Sequence, residues 1–433
     1  MPPTLNSQTA STLHAHIDNA TSGPNPTLPG AIVQILDARG TELFTHTSHK
    51  HTPKTLFSIH SCSKLIGAIA FMQLVDAGLA TLDDASLIEK WLPELAAKKV
   101  LTGVKDAADG TKEHVFEDRK GAITARMLLD HTNGTGNTFF NVELRDFLGE
   151  GAATENEGTA YYDTLLKSPL LYQPGTKTNY GQGLDWISVL VERLAGKSFE
   201  DVLREGVFDP LGITHGGFRG EMGGSVVSST PGVDFWPASL RLGDGDGGFM
   251  SIPGFAEKKV ERGDAWPAGK HHMQSVATGL VLSVADLGRI YSVLLPQNAG
   301  VDPVTGTRIL SAASAAEFAK VVHPVEIRND SRNIPAANPV FLPYELQAPN
   351  VDPAGCFGLG SAIQGDDRVL VDGRRGRSKG SVYWVGAANV AFWIDGAKGV
   401  VVVAAGNFFP FMDGKWLEFV EGLEGLLYEG IEG

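Results

Sequence analysis

Cysteine is scarce in this 433-residue chain, which carries only Cys62 and Cys356. Two thiols cannot frame a disulfide-stapled fold, and their small number fits a reducing compartment. Positive charge is also short: 36 Lys and Arg stand against 50 Asp and Glu, a net charge of −14. That balance is the opposite of a nucleic-acid footprint, so no nucleic-acid partner is expected. No uninterrupted apolar run approaches the roughly 18 residues of a membrane-spanning helix. Met1 to Ala20 lacks both the basic and the apolar region of a secretion signal. A cytoplasmic protein without membrane contact is expected. Metal and cofactor patterns are missing too. His46, His49 and His51 crowd one segment without a Cys or carboxylate at ligand spacing, and read as exposed loop histidines. Asp244-Gly245-Asp246-Gly247 invites a calcium loop, but the sixth and twelfth positions, which need Gly and Glu, hold Phe249 and Phe255. Neither a metal nor a cofactor is expected.

What is present suffices for a large core. Hydrophobic residues make up 42% of the chain, and its length allows about two or three lobes. Thr9 to Ala20 reads as a first helix, ended by the Pro- and Gly-rich run Ser22 to Gly30. Ala31 to Leu36 alternates as a strand, Asp37-Ala38-Arg39-Gly40 reads as a hairpin turn, and Glu42 to Thr47 as its partner. Lys98 to Arg119 is polar and reads as a surface excursion, Gly149 to Gly158 as a second loop. Near the C-terminal end, Gly358 to Ile363, Val369 to Val371, Ser381 to Ala387, Asn389 to Asp395 and Val400 to Ala405 read as an antiparallel meander. A last helix carries Trp416, Phe419, Val420, Leu423 and Leu427 on one face. The basic turn Gly373 to Gly380 reads as a solvated hairpin, with a dock for an acidic or carrier-bound substrate as the alternative.

One stretch, Phe57 to Gly67, sets a nucleophile beside an amine. Lys64 follows Ser61 by three residues, and Leu65, Ile66, Ile69, Met72 and Leu74 carry helical spacing, so the two side chains share a face. A serine hydroxyl is a poor nucleophile near neutral pH, and a lysine takes its proton only where the surroundings disfavour an ammonium. Ser58 reads as the N-cap, which puts Ser61 in the first turn, where free N–H groups favour developing negative charge. Chance alone supplies about two Ser-x-x-Lys patterns in a chain this long, so the partners decide. Cys62 points roughly a quarter-turn away and reads as small buried filler rather than a thiol nucleophile. Tyr180, preceded by Pro174-Gly175, is the candidate partner; Tyr161 and Tyr162 are fallbacks without that context.

Several stretches then fall in the order of one family. The Ser61 to Lys64 motif, Leu82-Asp83-Asp84, Trp91 to Leu95, Ile123 to Gly134, Pro174 to Trp186, Pro210-Leu211-Gly212-Ile213 and Ala277 to Arg289 together resemble the serine β-lactamase-like superfamily, which includes class C β-lactamases, D-amino-acid peptidases and family VIII esterases. The likeness runs from about Leu28 to Met412. It implies an α/β (α+β) fold of the β-lactamase/transpeptidase type. An antiparallel sheet flanked by helices would come from residues 1–75 and 275–433, with a mainly helical domain, residues 76–274, inserted between them and the site at their junction. It also implies Ser61 as nucleophile, Lys64 and Tyr180 as proton carriers, and an oxyanion hole from the Ser61 and Ala387 backbone N–H groups. His131 is implied to be structural. Gln182, standing where the family has Asn, is a substrate-binding candidate together with Trp384 and Gly386.

Trp384 departs from the β-lactamase pattern, where that strand reads Lys-Thr-Gly, and so removes the cation that helps hold a β-lactam carboxylate. Trp384-Val385-Gly386, with Tyr180 to Trp186, is closest in pattern to family VIII esterases and fungal lovastatin-type transesterases. The implied function is a serine esterase or acyltransferase acting through an acyl-serine on a small-molecule ester. Water, or an acceptor alcohol, would release the acyl group, and a carrier-bound acyl donor is a further partner the pattern admits. The alternatives are a β-lactamase or D-amino-acid peptidase-type amide hydrolase, and a catalytically silent binding protein of the same fold.

Overall fold

The computed structural model describes residues 2–108, 110, 112–149, 162–243, 248–252, 254, 256–261, 273–328, 352 and 354–432. Helix α1 (Ser7–Thr21), strands β1 (Ile32–Asp37), β2 (Glu42–Thr47) and β3 (Phe57–Ser58) and helix α2 (Ser63–Asp76) come first. Strands β4 (Val100–Asp106) and β5 (Lys112–Glu117), helix α3 (Gly183–Ala195) and strand β6 (Gly217–Phe218) follow. The remainder brings β7 (Leu280–Leu282), α4 (Val284–Ser292), β8 (Cys356–Phe357), β9 (Ala362–Ile363), β10 (Val382–Gly386), β11 (Val390–Asp395), β12 (Val400–Ala405) and α5 (Gly414–Gly430).

Seven of these strands form one antiparallel sheet in the order β8-β9-β10-β11-β12-β1-β2. The first hairpin closes where expected: the buried Asp37 accepts the backbone N–H groups of Arg39 and Thr41 at 2.9 and 2.8 Å, an Asx-type closure. Strand β12 pairs with β1 from Val400↔Asp37 to Ala405↔Ile32, so the first and last strands of the sheet's sequence are neighbours inside it, fifth and sixth of the seven. Every residue of β1, β11 and β12 is buried; helices therefore cover both faces there, and these strands read as continuous apolar runs rather than alternating ones. A second sheet, β3-β7-β6, pairs Ser58 with Val281 and Phe218 with Leu280. It delivers the chain to the nucleophile turn. Among the described residues no helix is long and apolar enough to cross a membrane.

Three expectations are corrected. Lys98 to Arg119 contains the two-stranded hairpin β4-β5, paired from Val100↔Glu117 to Asp106↔Lys112 with a bulge between Leu101 and Gly103; its polarity on both faces hid the period-2 signal. Val369 to Val371 is no strand, making only an isolated bridge from Val369 to Arg375. The basic turn is not simply solvated either. Arg368 donates to the Glu424 carboxylate of α5, Arg377 donates its backbone N–H to the same group at 2.8 Å, and the Arg377 guanidinium lies over the Tyr383 ring at 4.2 Å. Arg374 is paired with Asp372 and Glu429. These internal pairings leave the docking alternative little free charge.

Glu424 is fully buried, and its removal strands two guanidinium groups on a desolvated surface, a class of change that costs about 3 kcal/mol or more. Glu424→Ala should lower the denaturation midpoint accordingly in urea titrations followed by circular dichroism. A shift below about 1 kcal/mol would deny the staple.

Candidate active site

Strand β3 ends at Ser58, but Ile59 still donates its N–H to Leu280 O at 3.1 Å. His60 then takes φ = +47°, the left-handed region that bulky residues rarely enter. The chain coils into a 3₁₀ turn, His60–Cys62, that runs straight into α2. The expected N-cap is therefore not Ser58, which stays in the strand; the turn starts at Ile59 with no side-chain cap. Ten consecutive residues of α2, Ser63 to Met72, are buried, which marks it as a helix enclosed on all sides.

Three side chains from two distant segments meet on this turn. Lys64 Nζ donates to Ser61 Oγ at 3.0 Å, and Tyr180 OH donates to the same oxygen at 2.9 Å. The Lys64 Nζ also donates to Ala277 O at 2.6 Å and lies 4.9 Å from the Tyr180 ring centroid. Lys64 is 3% and Tyr180 6% exposed, so the amine's partners are protein atoms rather than water.

His131 holds Tyr180 in place. Its carbonyl accepts Asn179 N–H at 2.8 Å and Tyr172 OH at 3.0 Å. Its Nδ1 accepts Gly181 N–H at 3.4 Å, while the two rings lie 4.6 Å apart. An accepting Nδ1 requires an unprotonated nitrogen there, and burial, helped by the nearby Lys64 charge, holds this imidazole well below the usual histidine range. Gly183 follows because a Cβ there would stand 2.1 Å from Leu128 O.

Strand β10 closes the other side. A Cβ on Gly386 would meet Ile59 O at 2.5 Å and Cys62 Sγ at 3.3 Å, so only glycine lets the strand end lie against the nucleophile turn; Ala387 follows directly. Trp384, 2% exposed, sets its ring 5.4 Å from Tyr180 and 5.0 Å from Phe357. Phe140 and Phe357 complete the aromatic surround of the phenol, 5.8 and 6.0 Å from it.

The titratable neighbours are kept uncharged. Burial, then the charges of Arg219 and Lys64, lowers His60 to about 3. Burial pushes the Cys62 thiol up, against the pull of Lys64, which leaves no thiolate to act as nucleophile.

Other candidates lie elsewhere. Tyr162 is buried with its OH donating to Glu94 at 3.4 Å and accepting from Arg193 at 3.1 Å; Tyr161 and Asp244 to Gly247 lie outside the described residues. Gln182 is the N-terminal flanking residue of α3, and its Nε2 donates to Ser168 Oγ at 3.1 Å. The histidines are not all exposed loop residues: His46 sits in β2 against His14, Nδ1 to Nδ1 2.7 Å, and His51 stacks on Trp236. Among the described residues no group of three or more His, Cys, Asp or Glu gathers to hold a metal. Two contributors left no usable signal. Ala277 acts through a carbonyl, which every residue type carries, and Phe357 sits in no recognised motif.

The sequence profile of the Beta-lactamase family matches residues 23–417, and the chain belongs to that family. The chain is 34% identical over 241 residues to a lovastatin esterase of Penicillium rubens, covering 52% of this chain and 58% of that one. It is 31% identical over 205 residues to a monacolin J acid methylbutanoyltransferase of Aspergillus terreus, covering 44% and 48%. The match thus spans about half the length of these curated relatives. A longer match, 28% identical over 364 residues, covers 82% of this chain and 76% of acyltransferase calJ of Penicillium decumbens. Among solved structures, unliganded simvastatin synthase (LovD) of Aspergillus terreus superposes with a TM-score of 0.74 at 23% identity, covering 98% of each chain. The β-lactamase/transpeptidase-like fold is therefore shown.

Two predictions follow from this geometry. Gly386→Ala should displace the nucleophile turn and cut the rate on an activated ester about a hundred-fold, the usual consequence of a shift near 1 Å at reacting atoms, with little change in far-UV circular dichroism; an unchanged rate would show that the strand end can yield. His60 and His131 are neutral in the fold, whereas an unfolded histidine binds a proton below 6.5. Their contribution to stability is present above pH 6.5 and lost as pH falls from there towards 3. Thermal melts should show Tm falling across that window, and the two imidazole resonances should not titrate between about pH 5 and 8.

Proposed function

We propose that the protein is a serine esterase or acyltransferase that works through an acyl-serine on small-molecule esters of secondary-metabolite type. The observation that carries this reading is the pair of hydrogen bonds reaching one hydroxyl, from Lys64 Nζ at 3.0 Å and Tyr180 OH at 2.9 Å. Ser61 Oγ attacks the ester carbonyl, and its proton passes to whichever of the Lys64 amine and the Tyr180 oxygen is unprotonated. The Ser61 and Ala387 N–H groups receive the developing oxyanion; the contact between Gly386 and Ile59 supports that pairing. The alcohol departs with a proton returned from the same groups. Water then yields the free acid, or an acceptor alcohol yields a new ester.

Esters are favoured over β-lactams because Trp384 fills with an apolar ring the strand position where a β-lactamase keeps its cation. The names of the relatives, an esterase and acyltransferases, support the same chemistry. The two cysteines, both buried and not joined in a disulfide, support work in a reducing, cytoplasmic setting.

Intact-mass measurement after treatment with a p-nitrophenyl phosphonate should show a single adduct, lost in Ser61→Ala. Lys64→Ala should slow p-nitrophenyl butyrate turnover about a thousand-fold, while a chromogenic cephalosporin should be turned over far more slowly than the ester by the unaltered protein. An adduct that persists in Ser61→Ala, or faster cephalosporin turnover, would sink this reading.

A further inference from the structure

The Ala277 carbonyl that receives Lys64 Nζ is fixed by a run of polar contacts from α3. Ser275, fully buried, donates its hydroxyl to Asp185 Oδ1. Its oxygen in turn accepts Ala277 N–H at 3.0 Å. Beside it Val276 N–H donates to Ser188 Oγ at 3.0 Å, and Ser188 donates to Leu184 O at 2.9 Å. Asp185, Ser188 and Leu184 all belong to α3. On the opposite side the turn is wedged against α2, where a Cβ on Gly67 would stand 2.2 Å from Val276 Cγ2. Residues 275–277 are thus held from both helices, and Ala277 O has little freedom to leave the amine.

We propose that Asp185 is a positioning residue for the acylation step: through Ser275 it aims the Ala277 carbonyl at Lys64. This rests on the reading of Ser61 as nucleophile. The titratable groups that feel Lys64 are His60 and Cys62 on the nucleophile turn, His131 beside the Tyr180 loop, and Asp185 on α3, with Tyr180 in ring contact and Arg219 acting on His60. Burial keeps the two histidines and the thiol uncharged, which leaves Asp185 as the acid of that set. Burial raises the Asp185 carboxyl, while the Ser275 hydrogen bond and the Lys64 charge draw it back towards the ionised form. The Ser275 hydroxyl requires an acceptor oxygen at residue 185: Asp185→Asn keeps one, and Asp185→Ala removes it.

The second-order rate of Ser61 labelling by a p-nitrophenyl phosphonate is measured for the full chain and for Asp185→Asn, Asp185→Ala and Ser275→Ala, with circular dichroism melts of each. Asp185→Ala, which leaves the Ser275 hydroxyl without its acceptor, and Ser275→Ala, which frees the carbonyl, are each expected to lower the rate about ten-fold. Asp185→Asn, which keeps an acceptor oxygen, is expected to recover most of the loss. Full-rate labelling in Asp185→Ala or Ser275→Ala, or a rate in Asp185→Asn as low as in Asp185→Ala, would overturn the assignment. Absence of labelling in the unaltered chain would instead overturn the acyl-serine reading on which it stands.

Discussion

A single nitrogen, Lys64 Nζ, ties the molecule's parts together. An amine 3% exposed has to find acceptors inside the protein, because an unmet buried donor of this kind is costly and an unmet buried charge far more so. It finds three: a hydroxyl on its own turn, a carbonyl from the segment entering β7, and the face of a phenol carried on the stretch that leads into α3. Each lies on a different stretch of chain. The enclosure of α2, the left-handed His60 and the glycine at 386 are what that convergence demands of the backbone around it.

How much of this was legible depended on where the chemistry resides. Ser61, Lys64 and Tyr180 meet through side chains in fixed local patterns, so the Ser-x-x-Lys spacing and the Pro-Gly before Tyr180 pointed to them directly. The strands β1, β2, β10, β11 and β12 were visible because their apolar content is dense and their turns are marked. Backbone functions were not visible: the Ala277 carbonyl has no residue signature, and the turn into α2 begins at Ile59, through a backbone angle rather than a capping serine. Long-range electrostatics were also hidden. Nothing local in the Gly373 to Gly380 turn announces that Glu424, in the last helix, neutralises it from beneath. The β4-β5 hairpin escaped notice because exposed polar strands lack the alternation by which half-buried ones are recognised.

The surroundings of Ser61 are polar at the reacting atoms and aromatic immediately beyond. Tyr180, Trp384 and Phe357 stand within ring-contact distance of one another, Phe140 adds a fourth ring against Tyr180, and the imidazoles nearby are neutral. Hydrogen bonds in such a place are strengthened by the low local dielectric, so a small number of donors suffices. In the proposed reaction the same walls would govern the fate of an acyl group, since partition between water and an alcohol is a matter of which one reaches the carbonyl.

The seating of β12 between β11 and β1 has a bearing on biosynthesis. A ribosome releases the N-terminal hairpin, the His60–Cys62 turn and α2 long before Val400 to Ala405 emerges, yet the seven-stranded sheet cannot close without them. Until then the long-range pairings that dominate this topology must wait, which makes assembly late and cooperative. Chains cut short by a premature stop would possess Ser61 and Lys64 but not the wall against which they are arranged, so their setting is completed only when the last strands are in place.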